Sequence, residues 1–295
     1  MRGVGLALLA LLPDMCCGTL TPSDFEQRRG KLTPTSSAEV GLEEGLLFQL
    51  FVPLAWSTRW SVNSQAYPLI VFLHGRGESG GYDVTNAQSL PSLLLTNASF
   101  SSACPFLVLA PQCPSECAFE NGWPQKVLQQ ITGLVHRWLV PTLGADRSRV
   151  FLAGQSMGGN GAWMYAAQQP RFFAAVVVIC GYVAPGLERS VADRLARTQL
   201  PVLVCHSADD SVIDVQASDM MVEALRKTQH PFVRYVRYEH APGPPMPEYA
   251  HLIGHGSYEL LFRDTGLYKW LLQQRCMRCE HPPRAFHALL SSQNS

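Results

Sequence analysis

A chain of 295 residues that is 47% hydrophobic and 16% charged has enough apolar material to cover a wide sheet on both faces, which excludes a disordered or fibrous protein. Lys plus Arg and Asp plus Glu stand at 23 each, and no long run of either sign occurs, so nothing marks a nucleic-acid surface or a polybasic membrane contact. The expectation is one domain acting on a small-molecule partner, with no nucleic acid and no stable membrane insertion.

Met1-Arg2-Gly3 followed by the apolar residues 4–12 has the charge order of a secretory signal, with small Cys16 and Gly18 placed for cleavage and a run too short to span a bilayer. Residues 1–18 are therefore expected to be a signal peptide and the chain to be secreted; a cytoplasmic chain with a frayed start is the alternative. Residues 19–45, rich in Thr, Ser, Pro, Glu and Gly, read as a leader. From residue 46 onward, short apolar runs at 69–73, 106–110, 150–153, 174–179, 202–206 and 233–238 have the length of buried parallel strands. Between them, 127–140 places Leu128, Ile131, Leu134, Val135 and Trp138 at three- and four-residue spacing, and 215–227 does so with Val215, Met220, Val222 and Leu225. Strand alternating with helix predicts an α/β domain over 46–272, with a mostly parallel central sheet and helices on both faces. A last periodic segment, 258–272, closes it, and 273–295 is a polar tail.

Within this pattern, Gly154-Gln155-Ser156-Met157-Gly158-Gly159 follows an apolar strand directly and leads into Trp163, Met164 and Ala167 at helical spacing. A serine in such a turn is pushed above the sheet, and its glycines are needed where side chains would collide with strand and helix. A serine hydroxyl is a weak nucleophile at neutral pH, so Ser156 requires a histidine as base and a carboxylate to orient it. Ser207-Ala208-Asp209-Asp210-Ser211-Val212, after the run 202–206, offers two adjacent acids. Downstream histidines are His230, His240, His251, His255, His281 and His287. His255, flanked by Gly254 and Gly256 just before 258–272, suits a base on a mobile loop, and His251 is the next choice. Two backbone N–H donors would complete the set: that of Met157, and one from the glycine-rich Leu73-His74-Gly75-Arg76-Gly77-Glu78, assigned to Arg76 with Gly75 as alternative. No G-x-x-x-x-G-K-[ST] pattern supports a phosphate loop there.

Nine cysteines are present. Cys276 and Cys279 with His281 suggest zinc, but a complete site needs about four ligands and no second C-x-x-C exists, so no metal and no cofactor is expected. Cys104, Cys113 and Cys117 could form one local disulfide in a secreted chain, while Cys180 and Cys205 at strand ends are expected as buried thiols. Trp123 and Trp163 line a cleft or fill the core.

Taken together, these blocks resemble the esterase/peptidase family of α/β-hydrolases related to polyhydroxybutyrate depolymerases and phospholipase/carboxylesterases. The resemblance runs over about 69–272. It rests on the 73–78 loop, Ala110-Pro111-Gln112-Cys113-Pro114, Ser156-Met157-Gly158-Gly159-Asn160-Gly161-Ala162-Trp163, Pro170-Arg171-Phe172-Phe173 and Ile179-Cys180-Gly181. The family's acid motif, H-G-x-x-D, falls on His206 to Asp210 with Ser207 in place of the glycine, and its G-H-x-S-aromatic block falls on Gly254 to Tyr258. The resemblance implies the α/β-hydrolase fold, Asp210 rather than Asp209 as the acid, and a serine hydrolase that cleaves a carboxylic ester or thioester of a small acyl substrate through an acyl-enzyme. A peptidase or acyltransferase with the same triad, or a non-catalytic binding protein on this fold, is the alternative implied.

Overall fold

The structure, a computed structural model, describes residues 25–28, 31–34, 46–53, 66–80, 89–276 and 279. The expected signal peptide, His281 and His287 lie outside the described residues. Strands β1 (Phe25–Arg28), β2 (Lys31–Pro34), β3 (Phe48–Phe51) and β4 (Tyr67–Leu73) come first. Helices α1 (Leu90–Thr96) and α2 (Ala98–Ala103) lead to β5 (Leu107–Pro111), and α3 (Glu116–Glu120) and α4 (Gln125–Leu134) lead to β6 (Ala145–Gln155). The chain then alternates: α5 (Met157–Gln168), β7 (Ala175–Ile179), α6 (Glu188–Thr198), β8 (Val202–Ser207), α7 (Gln216–Lys227), β9 (Val233–Tyr238), and finally α8 (Ser257–Arg263) and α9 (Thr265–Gln273).

All nine strands join one sheet in the order β1-β2-β3-β5-β4-β6-β7-β8-β9. The six from β5 to β9 pair in parallel, and β1, β2 and β3 add antiparallel at one edge. The run Leu69-Ile70-Val71-Phe72-Leu73 is continuously apolar because β4 is covered on both faces. Its residues alternate: Leu69, Val71 and Leu73 share one core with Leu128 and Ile131 of α4, Trp163 of α5, Leu195 of α6 and Leu225 of α7. Ile70 and Phe72 share the other with Leu90 of α1, Phe262 of α8 and Trp270 of α9. Each such leucine or valine withdrawn from water contributes about 1.5–3 kcal/mol before entropy is counted, so the helices packed on both faces fix the strands whose ends carry the site. Among the described residues, no helix is long and apolar enough to cross a membrane.

Four details differ from the sequence reading. Strands β1 and β2 fall inside the 19–45 stretch read as a leader, because an antiparallel edge is joined through backbone groups and needs no apolar run. Helix α4 continues past 140, through a π-turn at Val135–Leu139 and a last turn at Val140–Leu143. The 258–272 segment is two helices, since Asp264 is extended and its carboxylate accepts the Gly266 N–H, capping a new start. In α7 the core face is Ser218, Met221, Val222 and Leu225, and Met220 points to solvent at 49% exposure.

Candidate active site

Strand β6 ends at Gln155 and α5 starts at Met157. Ser156 between them has φ 55 and ψ −122, a left-handed conformation that costs on the order of 1–3 kcal/mol for a residue with a Cβ. Ser156 is held there by its N–H donating to Ile179 O at 2.9 Å and its carbonyl accepting from Asn160 N at 3.1 Å. The glycines around it are sterically required: a Cβ on Gly154 would lie 2.0 Å from Gly158 O, and one on Gly158 would lie 2.0 Å from Leu73 O. Strand β4, strand β6 and helix α5 are thus in backbone contact under the serine. The Met157 N–H, first in its helix, has no carbonyl four residues before it within the helix and is available to an anion.

Asp210 comes from the turn after β8 and His255 from the loop before α8. His255 Nε2 lies 3.0 Å from Ser156 Oγ, and His255 Nδ1 lies 2.9 Å from Asp210 Oδ2 and 3.1 Å from Oδ1. The carboxylate can only accept, so Nδ1 carries the hydrogen and Nε2 is left to take the serine proton. Asp210 is wholly buried. Burial alone would push its carboxyl up, but donors from His206, His255 and Ile213 outweigh that and hold it well below the ordinary carboxylate range. Gly254 is also obligatory: at φ +81 it presses on the acid turn, and a Cβ there would meet Asp209 O at 2.4 Å and Asp210 N at 2.5 Å. The segment that follows β9 takes part too, since Gly254 N and Gly256 N donate to Ala241 O and Pro242 O.

The competing residues are placed elsewhere. Asp209 turns away to accept from Ala241 N at 3.2 Å and faces His240 Nδ1 at 3.1 Å, bracing the loop that carries the base. His251 is exposed, and His230 is buried with its Nδ1 accepting from Phe232 N.

Gly75 stands against the nucleophile: a Cβ there would lie 3.5 Å from Ser156 Cβ and 3.0 Å from Glu78 Oε2. The Arg76 backbone is therefore beside the serine, and its side chain is exposed. This loop is tied down by His74, fully buried, whose Nδ1 donates to Gly75 O at 2.7 Å while Nε2 accepts from Cys113 N at 3.0 Å and Gln112 Nε2 at 3.2 Å. Burial lowers His74 to about 4, which keeps the ring neutral and Nε2 an acceptor. Burial likewise raises the Glu78 carboxyl to about 7, against a hydrogen bond from Gly75 that lowers it. Gly80 N donates to Cys113 O at 2.9 Å, and Cys113 is bridged to Cys117. The Trp123 indole donates to His74 O at 3.3 Å and packs on its ring at 5.0 Å, and both Trp123 and Trp163 belong to the core. His74 and Gln112 fall in the blocks that carry the family resemblance, but their function as struts is visible only once the loops meet.

Cys104, Cys180 and Cys205 are buried free thiols, and Cys276 is bridged to Cys279, so that C-x-x-C pair is committed to a disulfide. Among the described residues, the one grouping of potential metal donors is Cys180, Asp210 and His255. It is the site just described, where both His255 ring nitrogens are already engaged by Ser156 and Asp210.

A serine on a strained strand-to-helix turn, facing a histidine that faces a buried aspartate at the carboxyl end of a mostly parallel sheet, defines the class: an α/β-hydrolase. The chain belongs to the Esterase family, which it matches over residues 48–231, a span that includes Ser156 and Asp210 and stops short of His255. It is similar to a thermostable esterase at 29% identity and TM-score 0.63, over 86% of this chain and 64% of that one. It is also similar in fold to a ferulic acid esterase (17% identity, TM-score 0.53, 70% of this chain and 88% of that one). A third likeness in fold is to an acylaminoacyl peptidase of Pyrococcus horikoshii (15% identity, TM-score 0.55, 88% and 43%). The chain thus spans less than two thirds of the thermostable esterase. No curated protein matches the sequence.

Proposed function

We propose that this protein is a serine hydrolase that cleaves a carboxylic ester or thioester of a small acyl substrate through an acyl-enzyme. The observation that carries the reading is the His255 ring, with Nε2 on Ser156 Oγ at 3.0 Å and Nδ1 on Asp210 at 2.9 Å. His255 takes the Ser156 proton as the hydroxyl oxygen attacks the acyl carbon, and Asp210 stabilises the imidazolium. The N–H groups of Met157 and Arg76 receive the oxyanion. Collapse expels the alcohol or thiol with the proton from His255. A water deprotonated by His255 then attacks the acyl-serine, and the acid leaves with Ser156 restored. Secretion belongs to the same reading, supported by the two disulfides among the described residues.

The test is labelling by a fluorophosphonate probe together with a panel of short and long acyl esters, thioesters and amides. Ester or thioester turnover with Ser156 labelled is the expected result. Turnover of amides alone would move the protein to the peptidases, and a folded protein that neither labels nor turns over would make it a binding protein.

A further inference from the structure

We infer that His206 is a positioning residue that fixes the Asp210 carboxylate through a hydrogen-bond chain anchored on Ser218 of α7. This rests on the reading of Ser156, His255 and Asp210 given above.

His206 is the last residue but one of β8 and has no exposed surface. Its Nε2 sits between two oxygens, Ile213 O at 3.0 Å and Asp210 Oδ2 at 3.2 Å. A carbonyl and an ionised carboxylate only accept, so Nε2 carries a hydrogen and donates to both. On the other side of the ring, Nδ1 lies 2.8 Å from the hydroxyl of Ser218, also fully buried. The Ser218 hydroxyl, able to donate or to accept, bonds this second nitrogen and so holds the plane of the ring while Nε2 faces the acid.

The carboxylate is thereby clamped on every side but one. Oδ1 accepts from Val212 N at 2.9 Å and Ile213 N at 3.0 Å, and Oδ2 accepts from His206. The remaining partner is His255, the group that must move a proton. With Oδ2 released by His206, the carboxylate would be held at Oδ1 and by His255 itself, free to tilt about Oδ1, and the acceptor for the hydrogen on His255 Nδ1 would be less firmly fixed. The base would then spend time in the wrong tautomer, the defect that makes a triad acid indispensable. The chain Ser218, His206, Asp210, His255, Ser156 also ties the helix on one face of the sheet to the nucleophile.

The experiment is p-nitrophenyl acetate hydrolysis, and the rate of fluorophosphonate labelling where turnover is too slow. The variants are His206→Leu, His206→Gln and Ser218→Ala, each alone and combined with Asp210→Asn. His206→Leu should lower kcat about tenfold or more with KM within about twofold. His206→Gln, which can present an N–H to Oδ2, should recover most of that loss, and Ser218→Ala should lose a few fold. In the Asp210→Asn background neither His206→Leu nor Ser218→Ala should slow the protein further, since a residue acting through Asp210 has nothing left to act on. Losses that multiply in that background, or a folded His206→Leu protein with wild-type kcat, would overturn the inference. If His206→Leu does not fold, Ser218→Ala carries the same comparison: full activity or multiplying losses overturn it. Wild-type activity in Asp210→Asn alone would overturn the triad reading instead.

Discussion

Ser156 Oγ and His255 Nε2 lie 3.0 Å apart, across 99 positions of sequence. The strained turn after β6 lifts the first and a loop pinned to the acid turn delivers the second. Ser156→Ala removes one atom from this pair without touching the glycines that shape the turn. Ester turnover should fall by about 10⁴-fold or more and fluorophosphonate labelling should vanish. The melting temperature should be unchanged or slightly raised, because alanine gives up no packing there. Labelling that persists in this variant would place the nucleophile elsewhere.

Two glycines separate steric need from backbone strain. A Cβ on Gly158 would stand 2.0 Å from Leu73 O and 2.6 Å from His74 O, both backbone atoms that cannot swing away. Gly158→Ala should cost about 3 kcal/mol or more, with kcat falling as the loop beside Ser156 is displaced. Gly186, at φ +87 with nothing within 4 Å of a Cβ, carries only the backbone penalty. Gly186→Ala should cost about 1 kcal/mol and leave activity intact. Thermal unfolding and ester assays on both variants make the comparison.

Glu78 gives the fold a dependence on pH with a definite sign. Burial raises its carboxyl to about 7 in the folded protein, above the roughly 4.3 of an exposed glutamate. A group raised on folding contributes stability that is present below the unfolded value and lost as pH rises through the folded one. Glu78→Gln should therefore melt above the wild type at pH 8.5, with the difference closing as pH falls through 7 toward 4. A constant gap across that range would mean that Glu78 does not titrate there.

The Cys113–Cys117 bridge closes a short loop whose Cys113 backbone holds both His74 and Gly80. Replacing both cysteines by serine should cost about 2 kcal/mol in the chain-entropy account. It should also lower kcat more than it raises KM, since the loop beside Gly75 loses its outer support. Dithiothreitol should reproduce the loss of kcat in the wild type but not in the double variant, where Cys276–Cys279 is the described bridge left to reduce.

Much of this was legible in the sequence because it depends on local rules. Apolar runs marked five of the six parallel strands, whereas the sixth, β9, expected as buried, is an edge strand with Arg234 and Arg237 exposed; the glycines around Ser156 marked a place where strand, turn and helix nearly touch. His255 stood out by its flanking glycines, one of which the structure shows pressed on the acid turn. The choice between Asp209 and Asp210 needed the family motif, because adjacent carboxylates have the same local pattern and only the returning loop decides which one faces the ring. Periodicity misplaced Met220 by one position, as an amphipathic stripe of 12 residues tolerates such a slip, and it could not see the break that Asp264 makes by capping a second helix. Strands β1 and β2 hold no apolar run, only Phe25 and Leu32 among charged and polar neighbours. The part played by His206 was out of reach for a different reason: its partners lie up to 12 positions away, on a turn and a helix whose facing sides are set by the sheet.

The order of the three groups along the chain has a consequence during synthesis. At about 5–20 residues per second, a ribosome makes the 99 positions between Ser156 and His255 in roughly 5–20 s. Throughout that interval Ser156 is present without His255, and for the last 45 of those positions Asp210 is present without the ring that faces it. On the proposed reading Ser156 gains its base only when the loop of His255 docks on the acid turn, so a chain that stops short of residue 255 should turn over no ester.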